Sequence, residues 1–381
     1  MPPALQLASA DAIREHVGRE FFDSFTAAQW VERHAELGQH EPPEDWAAAA
    51  RGAVAELRAS HTEYISPDDP RHAALRAIFL PNESLVERDG IGIDVVQRDG
   101  RSFVSRVAAA SSAAALGLIR GDEIVSCDGV PFEPVRSLEG KESVLLELRH
   151  SPLESTSFRT VPIKRECVRA SWLAAQRAGA HTESTGDVFV RVIPIYSGAG
   201  DEYLQALEDD ICGPLRRCDA LVLDLRDGFG GCTPEWARLF STDVPIVDSV
   251  DRNGRKTRYD SQWRGELVLL VNGGTRSGKE MLARSLQRSG RATIVGERTG
   301  GAVLGGRLFE LPDGGLLYLA TQDVRIDGER LEGVGVVPDV AVADDIAFAA
   351  GRDPALARAI EVAAEKVRDA RRAGTLPGCP P

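Results

Sequence analysis

Lysine is scarce in this chain of 381 residues. It occurs only at Lys141, Lys164, Lys256, Lys279 and Lys366, although lysine and arginine together number 45. Acidic residues outnumber the basic ones, and the net charge is −13. Nucleic acid and anionic membrane surfaces are therefore not expected partners. Long apolar runs are missing too, so no membrane span is expected. The first residues, MPPALQLASADAIREHVG, have neither a basic n-region nor a long apolar h-region. No signal peptide is visible, and the expectation is a cytoplasmic protein, or an exported one if the sequence has been trimmed. The cysteines, Cys127, Cys167, Cys212, Cys218, Cys232 and Cys379, include no C-x-x-C pair and do not interleave with histidine at metal spacing. Buried free thiols are expected, and neither a metal nor a cofactor is implied.

What is present is 43% hydrophobic and long enough for two or three domains. The most informative stretch is Leu267 to Glu297, LVLLVNGGTRSGKEMLARSLQRSGRATIVGE. Leu267 to Val271 reads as a buried strand, Asn272-Gly273-Gly274 breaks it, Met281 to Leu286 has helical spacing, and Arg291 to Val295 reads as the next strand. Ser277 falls at the turn-to-helix junction, where backbone N–H groups point outward. Three readings compete there. Ser277 with Glu280 fits a capping box. Gly273-x-x-x-x-Gly278-Lys279 fits a phosphate loop, but Glu280 stands where a magnesium-binding hydroxyl belongs. A nucleophilic serine with an oxyanion site at the helix start is the third.

Helices are expected over Asp11 to Phe25, from Pro42-Pro43 through Glu44 to Arg58, and from the Tyr64–Pro70 turn to Leu80. Ser60-His61 sits at the end of the second, where a histidine suits the helix dipole. From Gly90 the pattern changes to strands: Ile91 to Val96, Phe103 to Val107, Asp122 to Gly129, Ser143 to Arg149 and Arg159 to Lys164, with a short helix over Ser111 to Leu118. Ala170 to Gly186, small and polar, reads as a linker. Beyond it come strands at Asp187 to Val192, Ala220 to Asp224, Leu308 to Leu311 and Leu316 to Thr321. Helices follow Ser197–Asp201 and run from Pro234 to Phe240. Asp353-Pro354 caps a last helix to Arg372. The tail after Gly374 is expected to be mobile.

Two resemblances emerge. Gly90-Ile91-Gly92-Ile93, with Ala114 and Leu116-Gly117-Leu118-Ile119-Arg120-Gly121-Asp122-Glu123-Ile124, resembles the carboxylate-binding loop and "AGL-x-x-GD-x-I" run of a PDZ domain. That likeness implies a groove binding peptide C-termini through the N–H groups of Gly90, Ile91, Gly92 and Ile93. Asp224-Leu225-Arg226-x-x-x-Gly230-Gly231, Ser277-x-x-Glu280, Gly296-Glu297-x-Thr299-x-Gly301 and Glu332-Gly333-x-Gly335-Val336-x-Pro338-Asp339 occur in that order. Together they resemble the tail-specific, C-terminal processing serine proteases and their tricorn-core branch. Gly228 stands in place of that family's Asn.

The resemblance implies a multidomain α/β fold. Its parts are an N-terminal helical segment (1–84), a PDZ-like domain (85–168), a protease core with a crotonase- or ClpP-like spiral of strands (169–349), and a C-terminal helix and tail (350–381). It implies a peptidase acting on polypeptide substrates, with Ser277 as nucleophile and an oxyanion site at the N–H groups of Gly278 and Gly230, Gly231 being the alternative. A homo-oligomer is left open, and a catalytically inactive peptide-binding scaffold is the rival reading. The commoner branch uses a serine–lysine dyad, but Ala302 stands where its lysine belongs, and Lys279 is expected to face away from Ser277, so that its removal should be mild. The tricorn branch instead implies His61 as base, with Ser60 and Glu332 orienting it.

Overall fold

The computed structural model describes residues 2–37, 43–80 and 86–374. Pro42 and the tail after Gly374 lie outside the described residues. The fold is mixed α/β. Its centre is a six-stranded sheet, in the order Val340–Ala341, Thr293–Gly296, Glu266–Val271, Ala220–Asp224, Val188–Pro194 and His181–Thr185. All pairings are parallel except the last, a hairpin. Alternate side chains of the four inner strands serve two cores. Leu267, Leu269 and Val271 face helices Asp201–Cys212 and Gly278–Arg288. Val268 and Leu270 face the last helix, Pro354–Ala373, through Ala359, Ala363 and Val367. A continuous apolar run is what a strand covered on both faces requires.

Among the described residues the N-terminal segment begins with three helices, Pro3–Glu20, Ser24–Arg33 and Trp46–Ala55, the last two capped by Asp23 and Asp45, and a fourth, His72–Phe79, follows later. The single expected helix Asp11 to Phe25 is thus two, because Asp23 accepts the N–H groups of Phe25 and Thr26 and starts a new one. These helices pack on a three-stranded antiparallel sheet of Glu63–Ile65, Leu316–Gln322 and Gly305–Glu310. The N-terminal segment and residues beyond 300 therefore share one core.

Residues 87–167 form a separate module: a five-stranded antiparallel sheet over 93–162 around its own apolar cluster, a short helix, Ser112–Ala115, and a two-stranded ribbon of Glu87–Gly90 with Lys164–Cys167. The module is fastened to the core at segment 344–351. Phe348 packs edge-on against Phe103 with Arg101 above both rings, and Arg120 meets Asp344 at 2.5 Å. Asp344 also meets Arg226, which bonds Asp224 and Asp353.

The expected linker after Ala170 is not one. Val168–Gly179 is a helix, burying Val168, Ala175 and Gln176, and His181–Thr185 is the sheet's edge strand. Small and polar residues on the outer face mask the helical spacing of Val168, Trp172 and Ala175. The thiols also differ from expectation: Cys127, Cys218 and Cys232 are buried, but Cys167 is half-buried and Cys212 exposed. Among the described residues no helix is long and apolar enough to cross a membrane, and no cluster of His, Cys, Asp and Glu is placed to hold a metal.

Candidate active site

The strand Glu266–Val271 ends at Asn272, and its turn carries Ser277 into helix Gly278–Arg288. Ser277 has φ 57° and ψ −129°, a conformation rare for a residue with a side chain. The strain is held by the surrounding backbone. The Ser277 N–H is donated to the Ala302 carbonyl at 2.8 Å and, at 3.3 Å, to the buried Glu280 carboxylate. Glu280 also accepts the Thr299 hydroxyl and the N–H groups of Gly301 and Ala302 at 2.8 Å. Ser277-x-x-Glu280 does close as a capping box, but its short bond is Glu280 N–H to the Ser277 carbonyl at 2.8 Å. No strict cap bond forms from the hydroxyl, and Ser277 lines the cavity.

Gly230 packs directly on this turn. A Cβ at Gly230 would come within 2.6 Å of the Ser277 Cβ and 2.9 Å of the Gly278 nitrogen. Only glycine lets the Asp227–Gly231 turn lie so close, and so the expected oxyanion donors, Gly230 and Gly278, flank Ser277. Lys279 lies beneath the same turn and is fully buried. Its ammonium donates to the carbonyls of Ile195 (2.6 Å) and Asp227 (2.7 Å). Burial, with the nearby Arg106 cation second, pushes its pKa down to about 8. Lys279 is therefore committed to these two carbonyls, a strut of the glycine turn rather than a dispensable side chain.

Ser60, His61 and Glu332 are brought together across the molecule. Glu332 accepts the Ser60 N–H at 2.9 Å, the Ser60 hydroxyl at 2.8 Å and the Val303 N–H at 3.0 Å. The Ser60 oxygen lies 3.0 Å from His61 Nδ1. The single Ser60 hydrogen goes to Glu332, so the network assigns the imidazole proton to Nδ1 and leaves the Nε2 lone pair free. His61 has φ 55° and packs edge-on against Tyr318 at 5.0 Å. It is only 4% exposed. Burial, reinforced by Arg276, lowers its pKa to about 4, although Glu332 and Glu63 pull the other way.

His61 and Ser277 line one cavity of about 1720 Å³, which extends to the loop Gly90–Ile93. No direct hydrogen bond joins the two among the described residues, an open arrangement common before substrate binds. In the loop, the Gly92 and Ile91 carbonyls accept Ala108 N–H (2.8 Å) and Ala113 N–H (3.0 Å). Sequence reasoning singled out Ser277, His61, Ser60 and Glu332, but missed Arg276, Glu63 and Tyr318 on the cavity wall. Arg276 was in plain view next to Ser277, but its direction depends on a turn whose shape no motif states.

Residues 193–342 match the family described as Peptidase family S41. A carboxyl-terminal-processing protease of Picosynechococcus is 30% identical over 61% of this chain and 58% of its own length. A tricorn protease homologue of Streptomyces coelicolor is 26% identical over 88% of this chain but 30% of its own length. The chain thus spans well under two thirds of either relative. The solved structure of a photosystem II D1 C-terminal processing protease covers 93% of this chain and 99% of its own, with TM-score 0.53 and 23% identity, which shows a shared fold. The family match, over residues 193–342, falls on the strands and turns that carry Asp224-Leu225-Arg226, Ser277, Thr299 and Glu332, and it is in this stretch that the chain is similar to peptidase family S41.

Proposed function

We propose that the chain is a serine peptidase that cleaves polypeptides near their C-terminus, with Ser277 as nucleophile and His61 as general base. The observation that carries this reading is the hydrogen-bonded series Glu332–Ser60–His61, ending at a histidine that lines the same cavity as Ser277. Ser277 Oγ attacks the scissile carbonyl, His61 Nε2 takes its proton, and the imidazolium returns it to the leaving amine. Ser60 and Glu332 hold the ring and offset its transient charge. The oxyanion forms between the N–H groups of Gly278 and Gly230, with Gly231 adjacent. Lys279 is a poor candidate for the base, since it is committed to two carbonyls, and Lys366 is exposed on the last helix. The core is read as a crotonase-like spiral and the 87–167 module as a PDZ-like domain. Its Gly90–Ile93 loop opens on the same cavity, which supports a role in receiving a peptide C-terminus.

A fluorophosphonate probe tests the reading directly. It is expected to add its mass to Ser277 and to no other serine, and an intact, folded protein that stays unlabelled would overturn the proposal.

The pH profile is a second test. A base must be neutral, and His61 titrates at about 4 rather than the ordinary 6.5. Activity of the free enzyme is expected to hold below pH 6 and to fall toward pH 4. Stability follows the same window with a defined sign. Between about 6.5 and 4 the unfolded chain binds a proton at His61 that the folded chain does not, so this residue's contribution to stability falls as pH falls. The melting temperature of native protein minus that of His61→Gln, followed from pH 7 to 4, should decline. An acid limb centred at 6.5 would contradict the buried imidazole, and a rate still climbing above pH 9 would point to lysine.

A further inference from the structure

We infer that Arg276 is a carboxylate-binding residue that selects substrates bearing an acidic group within a residue or two of the cut bond. The inference rests on the peptidase reading and names the substrate class of that site.

Arg276 immediately precedes Ser277, and its backbone is fixed. The Thr275 N–H is donated to the Asn272 carbonyl at 2.9 Å, the Thr275 hydroxyl to the Leu225 carbonyl at 3.1 Å, and the Gly300 N–H to the Thr275 carbonyl at 3.0 Å. The side chain is 39% exposed and lines the cavity with His61, Glu63, Tyr318 and Ser277. Its charge is felt at both His61 and Tyr318.

The other arginines that line the cavity have acceptors. Arg71 bonds Asp69 at 3.0 Å and Glu63 at 2.8 Å, Arg88 donates to the Pro70 carbonyl, and Arg98 to the Gln97 carbonyl. Arg276 does not share that arrangement. Its ion-pair partner is Glu63 Oε1 at 3.9 Å, beyond hydrogen-bond reach, while the other oxygen of that carboxylate pairs with Arg71 at 2.8 Å. Among the described residues no acceptor meets the Arg276 guanidinium. A planar fork of donors, partly removed from water and set beside a nucleophile, matches a carboxylate held by two parallel N–H···O bonds. Two sources supply that chemistry: an Asp or Glu side chain, or the free α-carboxylate of a peptide about to lose its last residues. Neither can lie far from the scissile bond, because Arg276 and Ser277 are consecutive.

The test uses binding, so that it does not depend on turnover. The Ser277→Ala protein is titrated with three forms of one fluorescent peptide: Glu beside the cut site with an amidated end, Gln with a free acid end, and Gln with an amidated end. The same titrations are run on Ser277→Ala carrying Arg276→Gln. The expected result is roughly ten-fold or tighter binding of one or both carboxylate forms over the third, lost with Arg276→Gln. The form preferred identifies the source of the carboxylate. Equal affinity for all three forms overturns the inference. So does a preference that survives Arg276→Gln, which would assign the carboxylate to another group such as the Gly90–Ile93 loop. Fluorophosphonate labelling of the native protein scores the peptidase reading separately, so the two failures are distinguishable.

Discussion

His61→Ala is expected to lower kcat/KM nearly as far as Ser277→Ala, by roughly 10⁴-fold or more, and the double variant to be scarcely slower than either. Members of a proton-transfer unit are non-additive, because each is useless without the other. Nothing local requires these two to cooperate. His61 follows an N-terminal helix, Ser277 opens a helix of the central sheet, and the 87–167 module lies between them in sequence. Ser60→Ala and Glu332→Gln should cost less in rate, since they orient the ring without moving a proton. Glu332→Gln should also lower stability, because the carboxylate accepts two backbone N–H groups besides the Ser60 hydroxyl. Melting curves for each variant separate lost packing from lost chemistry. An active His61→Ala enzyme would remove the histidine from the mechanism.

Lys279 carries the second large effect, and here the structure reverses the sequence expectation of a mild change. Lys279→Ala leaves a cavity and strands the carbonyls of Ile195 and Asp227, at a cost of about 2–4 kcal/mol. Lys279→Met keeps the volume but not the donors, so it should fold better and still release the Asp227–Gly231 turn. Loss of one oxyanion donor costs about 10²–10³ in kcat, and Lys279→Met should approach that range if Gly230 shifts. The pH signature is specific. Between about 8 and 10.5 the unfolded chain holds a proton on Lys279 that the folded chain has lost, so this residue's contribution to stability rises with pH. The native-minus-Lys279→Met difference in melting temperature should rise across that interval, whatever the tyrosines and thiols do in both proteins. A Lys279→Met enzyme with native kcat and a flat difference curve would show the strut to be idle.

The contrast between Ser277 and Lys279 indicates what a sequence makes legible here. Glycines and short polar motifs record backbone shape, which is local: Gly230 must approach Ser277, and Glu280 must receive Gly301 and Ala302. The motifs that carry Gly230, Ser277 and Glu280 are short fixed strings and were readable, although the contacts that join them span tens of residues. The partner of a long flexible side chain is set by whatever the fold brings past it. Lys279 finds carbonyls on two other crossovers, Arg276 finds none, and Trp46 and Tyr64 both meet Asp313 at the far end of the chain. The helix Val168–Gly179 was missed for a related reason, since its buried face is narrow and its neighbours supply most of the apolar surface.

The sheet that joins Glu63–Ile65 to Leu316–Gln322 has a consequence for biosynthesis. A ribosome releases Ser60 and His61 long before Leu316 exists, and until that strand arrives nothing seats them beside Ser277. On the proposed reading, every unfinished copy is inert, whether or not its central sheet has begun to form. On that reading, the late pairing keeps the site from forming during translation. Completion of the N-terminal pairing is the step that arms it.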